Sequence, residues 1–273
     1  MPELFVRVLF AVLAIPLTLW FVLTGGQAFR AFCMLLLLGG GVELYLMTRK
    51  KGTPLFLPAA LIGIALFCLR SSAVFVDCEK WVFPVIFFAL FILILREVVR
   101  ADIEAVLSRA GSTLLAVFYI GFLGSYLISI TEHPAHPQMG RFGLVMLLLS
   151  VWGSDTFAFF IGKYIGKRPL SPRVSPHKTV EGLLGAALGG AAGMLVGRTL
   201  FEPDFPSMTA SVAIGVMVGL FGQAGDLFES LLKRSCGVKD SSHIFPGHGG
   251  ILDRIDALIF AAPVYYYLLM VLI

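Results

Sequence analysis

Apolar residues in this chain gather into long blocks rather than alternating with polar ones. The blocks cover roughly residues 4–23, 28–47, 54–70, 81–96, 112–131, 142–161, 181–200, 208–232 and 250–272, with short polar or charged joints between them. A helix needs about 20 mainly apolar residues to cross the hydrocarbon of a bilayer, so the pattern predicts an all-α integral membrane protein of about nine transmembrane helices. The third and fourth blocks are short or interrupted by Pro58 and Pro84, which gives an alternative count of eight. Residues 1–110 read as a scaffold of about four helices and 111–273 as a catalytic region of about five, within one continuous fold.

Charge orders these helices across the membrane. Basic residues favour cytoplasmic loops, and nine crossings place 16 of the 21 Lys and Arg residues on the side of the N-terminus and 5 on the other. That bias predicts a cytoplasmic N-terminus and an outer C-terminus. Of all residues 58% are hydrophobic and 14% charged, with mean hydropathy +0.90, which excludes an ordinary soluble domain. The net charge of +4 follows from this topology, and no basic patch with interleaved aromatics suggests a nucleic-acid partner. The first block lacks a signal-peptide cleavage pattern and is expected to remain as a helix. Cys33, Cys68, Cys78 and Cys236 show no CxxC spacing, so neither disulfides nor a thiolate metal site is expected.

One stretch resists explanation as membrane filler. Between Gly225 and Asp256 lie Asp226, Glu229, Lys233, Arg234, Lys239, Asp240, His248, Asp253, Arg254 and Asp256, around the turn Pro246-Gly247-His248-Gly249-Gly250. Asp226 with Glu229, and Asp253 with Asp256, stand three residues apart and share a helix face. Clustered carboxylates are hard oxygen ligands suited to Mg²⁺ or a similar divalent cation, with room for a second cation. The adjacent Lys and Arg residues suit phosphate. Carboxylate-held metal plus basic residues is the equipment of phosphoryl or nucleotidyl transfer, which depends on positioning and charge stabilisation.

Other segments extend this site. Asp155 stands about seven residues, roughly 10 Å, from the inner end of its helix. Asp226 precedes Lys233 by seven residues and Asp256 lies six residues into the last block, so three acids are expected at one depth. The basic loop from Gly162 to Gly182 contains Ser175, His177, Lys178 and Thr179; Ser175 or Thr179 can cap the following helix, whose N-terminus favours anions. Gly185, Gly189, Gly193 and Gly197 form a stripe expected to pack on the eighth or ninth helix, and such stripes permit a homodimer without demanding one. Glu43, inside the second block, is expected to have a structural partner. The mixed charges from Arg96 to Arg109 read as a solvated face. His133 and His136 are separated by prolines that argue against a metal site.

The run Ser230-Leu-Leu-Lys233-Arg234, then Lys239-Asp240, then Pro246-Gly-His-Gly-Gly-Ile-Leu-Asp253-Arg254-Ile-Asp256 resembles the signature of the phosphatidate cytidylyltransferases, or CDP-diacylglycerol synthases. The loop leading into Lys178-Thr179-Val-Glu-Gly resembles that family's second recurring segment, with His177 where lysine is common and Phe159 where tyrosine is common. The resemblance implies condensation of CTP with phosphatidic acid at the cytoplasmic face of the inner membrane, among membrane lipids. It implies metal on Asp226, Asp253 and Asp256 with Glu229, and catalytic Lys233 and Arg234. Nucleotide contacts would come from Lys239, Asp240, His248, Gly249, Gly250 and Arg254, with Asp155, Ser175, Lys178 and Thr179 also at the substrates. The competing reading is an ion-coupled transporter that uses the same acids as a cation site.

Overall fold

Backbone groups inside a bilayer have no water to bond, so the apolar blocks must satisfy their own N–H and C=O groups as helices. The computed structural model describes residues 2–71, 79–100, 103–132, 140–201, 207–245, 247 and 249–272. In chain order the helices are α1 (Pro2–Thr24), α2 (Gly26–Lys50), α3 (Leu57–Arg70), α4 (Glu79–Arg100), α5 (Val106–Leu115), a π-helical stretch (Ala116–Leu123), α6 (Gly124–Thr131), α7 (Gly140–Tyr164), α8 (Val180–Phe201), α9 (Met208–Ser235) and α10 (Leu252–Leu272). Among the described residues, six helical stretches are long and apolar enough to cross a membrane: Gly26–Lys50, Val106–Thr131, Gly140–Tyr164, Val180–Phe201, Met208–Ser235 and Leu252–Leu272. Val12–Thr24 and Leu57–Arg70 are shorter apolar helices. The chain is therefore an all-α, multi-pass membrane protein.

Small residues bring α7, α8 and α9 together. Lipid tails are as apolar as leucine, so helices in a bilayer associate through close packing and hydrogen bonds. A Cβ at Gly189 or Gly193 would collide with the carbonyl of Gly153 or Leu149 on α7, and Gly197 packs on Met146. Gly190, on another side of α8, meets Gly215 and Gly219 of α9. Ser150 Oγ donates to the Gly190 carbonyl at 2.8 Å and Ser154 Oγ to that of Gly219 at 3.3 Å. This corrects the expected partner of the 185–197 stripe: it faces α7, the helix of Asp155, and not α9 or α10. Four-residue spacing shows that a face is small but cannot say which helix fills it. The stripe is occupied within the chain, so it supplies no dimer face.

α10 completes the bundle. Gly225 of α9 lies against the Asp256 carbonyl, where any Cβ would clash, and the two backbones touch beside their acids. α2 reaches across to α6, the π-helical stretch and α10, so the N-terminal and C-terminal helices share one core.

Two further expectations are corrected. The basic loop contains a small antiparallel hairpin, β1 (Pro169–Ser171) with β2 (Ser175–Thr179), pairing Pro169 with Thr179 and Ser171 with Ser175. Among the described charges from 96 to 109, Arg100 and Glu104 are exposed, as a solvated face requires, but Glu97 and Arg109 are buried. α4 extends to Arg100, and Glu97 receives Arg109 Nε at 2.8 Å and Nη2 at 2.5 Å, with Arg109 only 1% exposed. A guanidinium sunk against an apolar helix needs a carboxylate, and the fork of Arg109 satisfies Glu97 in return. His133, His136, Cys78 and His248 lie outside the described residues.

Candidate active site

Termination of α9 sets up the site. Gly237 adopts φ +69°, and the N–H groups of Gly237 and Val238 donate to the carbonyls of Arg234 and Lys233, both at 3.0 Å. This glycine-terminated motif stops the helix two residues after Lys233 and throws the chain back toward α10. The returning loop turns again through Gly247 and Gly249, both at φ +74°, where Phe245 N–H donates to the Gly249 carbonyl at 3.0 Å.

The loop, α9, α10 and α7 enclose a polar cavity of about 520 Å³. Asp155, Asp226, Asp253 and Asp256 line it together with Lys233, Lys239, Asp240, Arg254 and Gly249. A second cavity of about 700 Å³ lies between α7, α8 and the hairpin, lined by Phe159, Leu170, His177, Lys178, Thr179 and Leu183 among others. Asp155 and Asp226 belong to both linings and form the wall common to the two chambers. Lys178 Nζ stands at this wall, 2.8 Å from Asp226 Oδ2 and 3.5 Å from the Gln223 carbonyl. Gln223 Nε2 donates to Asp155 Oδ1 at 2.8 Å, which fixes that carboxylate from the neighbouring helix.

The acids differ in what remains for a ligand. Asp253 Oδ2 accepts from Ser241 N–H, Ser241 Oγ and Gly250 N–H at 3.0, 2.7 and 2.8 Å, while Oδ1 takes Lys233 Nζ at 2.5 Å. Glu229 is fully buried, pairs with Lys233 from one turn earlier, and does not line the cavity. Asp256 Oδ1 accepts the Ala257 N–H at 2.7 Å, which leaves its other oxygen to the cavity. The sequence grouped Glu229 and Asp253 with Asp226 and Asp256 around one cation; the structure gathers Glu229 and Asp253 around the Lys233 ammonium.

Several other candidates stand apart from the polar cavity. Arg234 is exposed and donates to the Val174 and Val238 carbonyls at 3.4 and 3.3 Å, joining the hairpin to the end of α9. Ser175 opens β2 and lines neither chamber. Thr179 Oγ1 accepts the Gly182 N–H at 3.0 Å and so caps α8, and Glu181 accepts the Lys167 and Arg168 N–H groups at 3.0 and 3.2 Å. Gly250 is buried beside Ser241 and Glu43, in space no Cβ could share. Sequence reasoning missed Gln223, His243 and Phe245; for Gln223 the available signal was an amide one turn before Asp226 on an apolar helix.

A family model described as the cytidylyltransferase family matches residues 5–272. The chain belongs to that family. Across 96% of both chains it is 35% identical to a phosphatidate cytidylyltransferase of Bacillus subtilis, and it is 32% identical to one of Synechocystis over 98% of this chain and 97% of that protein. A phosphatidate cytidylyltransferase of Aquifex aeolicus shares 42% identity over 58% of this chain and 56% of its own. A cytidylyltransferase is an enzyme, and this membership displaces the transporter reading. Among the described residues no three acids, histidines or cysteines form a ready-made metal cage. Mg²⁺ does not require one, because it commonly binds one or two carboxylates plus substrate phosphates. Asp226 and Asp256, facing one cavity from touching backbones, fit that habit.

Proposed function

We propose that this enzyme transfers the cytidylyl group of CTP to phosphatidic acid, giving CDP-diacylglycerol and pyrophosphate. The observation that carries the reading is the pair of chambers meeting at Asp155 and Asp226, one mainly polar and the other mainly apolar. A nucleoside triphosphate suits the first. A phosphate headgroup whose acyl chains stay in the bilayer suits the second, beside Phe159, Leu170 and Leu183.

A phosphate oxygen of the lipid bonds to the α-phosphorus of CTP, and the bond from that phosphorus to the β-phosphate bridging oxygen breaks, releasing pyrophosphate. The attacking oxygen is already anionic, so no deprotonating base is needed. Lys239, Arg254 and Lys233 hold triphosphate oxygens from the loop, α10 and α9. Lys178, at the common wall, draws the lipid phosphate toward the nucleotide. Asp253 and Glu229 hold Lys233 in place, and Gln223 orients Asp155. A divalent cation such as Mg²⁺, held by Asp226 and Asp256, would neutralise charge on the nucleotide phosphates.

We further propose nine membrane passages, formed by α1 to α4, the α5–α6 unit and α7 to α10, with the N-terminus cytoplasmic and both chambers at the cytoplasmic face of the inner membrane. The distribution of Lys and Arg supports this orientation. Incorporation of radiolabelled CTP into lipid, measured with purified protein, tests the reaction. Label should enter lipid only when phosphatidic acid and Mg²⁺ are both present. Incorporation without phosphatidic acid, or none with it, refutes the reaction, and full activity after chelation refutes the metal.

A further inference from the structure

The N-terminus of α10 carries Asp256, yet it opens from Gly249-Gly250-Ile251, which offers no side-chain oxygen to cap it. The first N–H groups of a helix have no partner within the helix and need one when buried. That partner comes from α2, more than 200 residues earlier in the chain. Glu43, with no exposed surface, accepts Ile251 N–H and Ser242 Oγ on Oε1, at 2.8 and 2.6 Å, and Leu252 N–H and Ser241 Oγ on Oε2, both at 2.8 Å. A carboxylate at a helix N-terminus is also favoured by the helix dipole. Ser241 Oγ also lies 2.7 Å from Asp253 Oδ2, so its single proton is shared between the two carboxylates, while Ser241 N–H and Lys233 Nζ donate to Asp253 outright. Glu43 is thus the buried end of a chain of contacts that finishes at a cation in the polar cavity.

We propose that Glu43 is a positioning residue for the nucleotide chamber: from α2 it locks Ser241, Ser242 and the start of α10, and so sets where Lys233, Lys239 and Asp256 stand. Gly250 agrees with this assignment, because a side chain there would occupy the space of the Glu43 carboxylate and the Ser241 hydroxyl. The proposal rests on the cytidylyl-transfer reading for its kinetic arm only.

Glu43→Gln keeps the shape but turns an NH₂ toward one backbone N–H and one serine hydroxyl; the hydroxyl can rotate to accept, whereas the backbone N–H bond is lost. In detergent-solubilised full-length enzyme, hydrogen exchange at residues 249–252 should accelerate about tenfold while α3 and α6 keep their protection. KM for CTP should rise about tenfold with kcat changed less than about threefold, the pattern of lost ground-state positioning. Ser242→Ala removes one donor to Glu43 and should move both readouts the same way, about two- to threefold. An unchanged KM and unchanged loop protection in Glu43→Gln would overturn the proposal, as would protection lost equally in every helix. If Glu43→Gln does not fold, Ser242→Ala decides alone, with an unchanged KM counting against it. If wild-type enzyme fails to use CTP, the reaction falls, and exchange at 249–252 still decides the lock.

Discussion

Two ion pairs in this protein use the same chemistry in opposite ways. Between α4 and α5, Arg109 and Glu97 are sealed, with side chains 1% and 4% exposed. At the wall between the chambers, Lys178 and Asp226 pair at 2.8 Å with side chains 18% and 35% exposed. The first pair has no acceptor to spare, since both Glu97 oxygens already accept hydrogen bonds. The second faces open volume on both sides, so a substrate phosphate can compete for Lys178 and a cation for Asp226. Under the proposed reaction, what separates a structural acid from a working one is spare coordination and access. Residue type does not separate them.

The largest expected effect lies on the open side. Asp226→Asn should lower cytidylyl transfer about 10⁴-fold, equivalent to about 5 kcal/mol of transition-state stabilisation. The thermal midpoint should hold, because the lost pair is partly solvated. Activity within tenfold of wild type would place Asp226 among the structural acids.

The sealed pair should behave in reverse. Arg109→Met leaves Glu97 buried with Arg96 as its neighbour and should cost about 3 kcal/mol of stability, the usual result of breaking a buried ion pair from one side. Specific activity of the folded fraction should stay within about twofold of wild type, since the change touches fold and not substrate. Denaturant or thermal titration alongside the labelled-CTP assay separates the two quantities. A stable but inactive Arg109→Met enzyme would erase the contrast.

A smaller effect is expected at the mouth of the polar chamber. Lys239→Ala removes one loop cation from the triphosphate and should raise KM for CTP about tenfold, near 1.4 kcal/mol, with kcat little changed. If kcat falls instead while KM holds, Lys239 acts on the transition state and belongs with Asp226.

How far this contrast could be read in the sequence depends on the range of the interactions. That acids of α7, α9 and α10 converge was legible because helical spacing and distance from a helix end group them before any tertiary contact is known, and they line one cavity. The motif from Ser230 to Asp256 was legible as chemistry, since charge beside lipid needs a reason. The roles within it were not. Whether Asp253 has spare oxygens depends on Ser241 and Gly250 N–H groups whose direction the loop's positive-φ glycines decide. Glu43 looked out of place on its own helix, but its donors lie some 200 residues away, beyond any local pattern. Arg109 was misread because a charge near a loop is usually solvated, and only the packing of α5 on α4 removes the water. The hairpin at 169–179 escaped notice because its strands are three and five residues long and carry Pro and Ser in place of an alternating apolar face.

The smallest effect tests the contrast most finely. Ser230 Oγ lies 3.4 Å from Asp226 Oδ1, one turn along the same helix, whereas Lys178 reaches Oδ2 at 2.8 Å from the hairpin. A contact at that length is near the limit of a hydrogen bond, and a hydroxyl within its own helix can turn back to other partners. If Asp226 is held by the cation across the wall, Ser230→Ala should change stability by less than about 0.5 kcal/mol and activity by less than about twofold. Were Ser230→Ala instead to approach the loss in Asp226→Asn, the carboxylate would be held from α9 itself. Its orientation would then belong to the fold as much as that of Glu97 does, and access to the chambers would no longer suffice to tell the two kinds of acid apart.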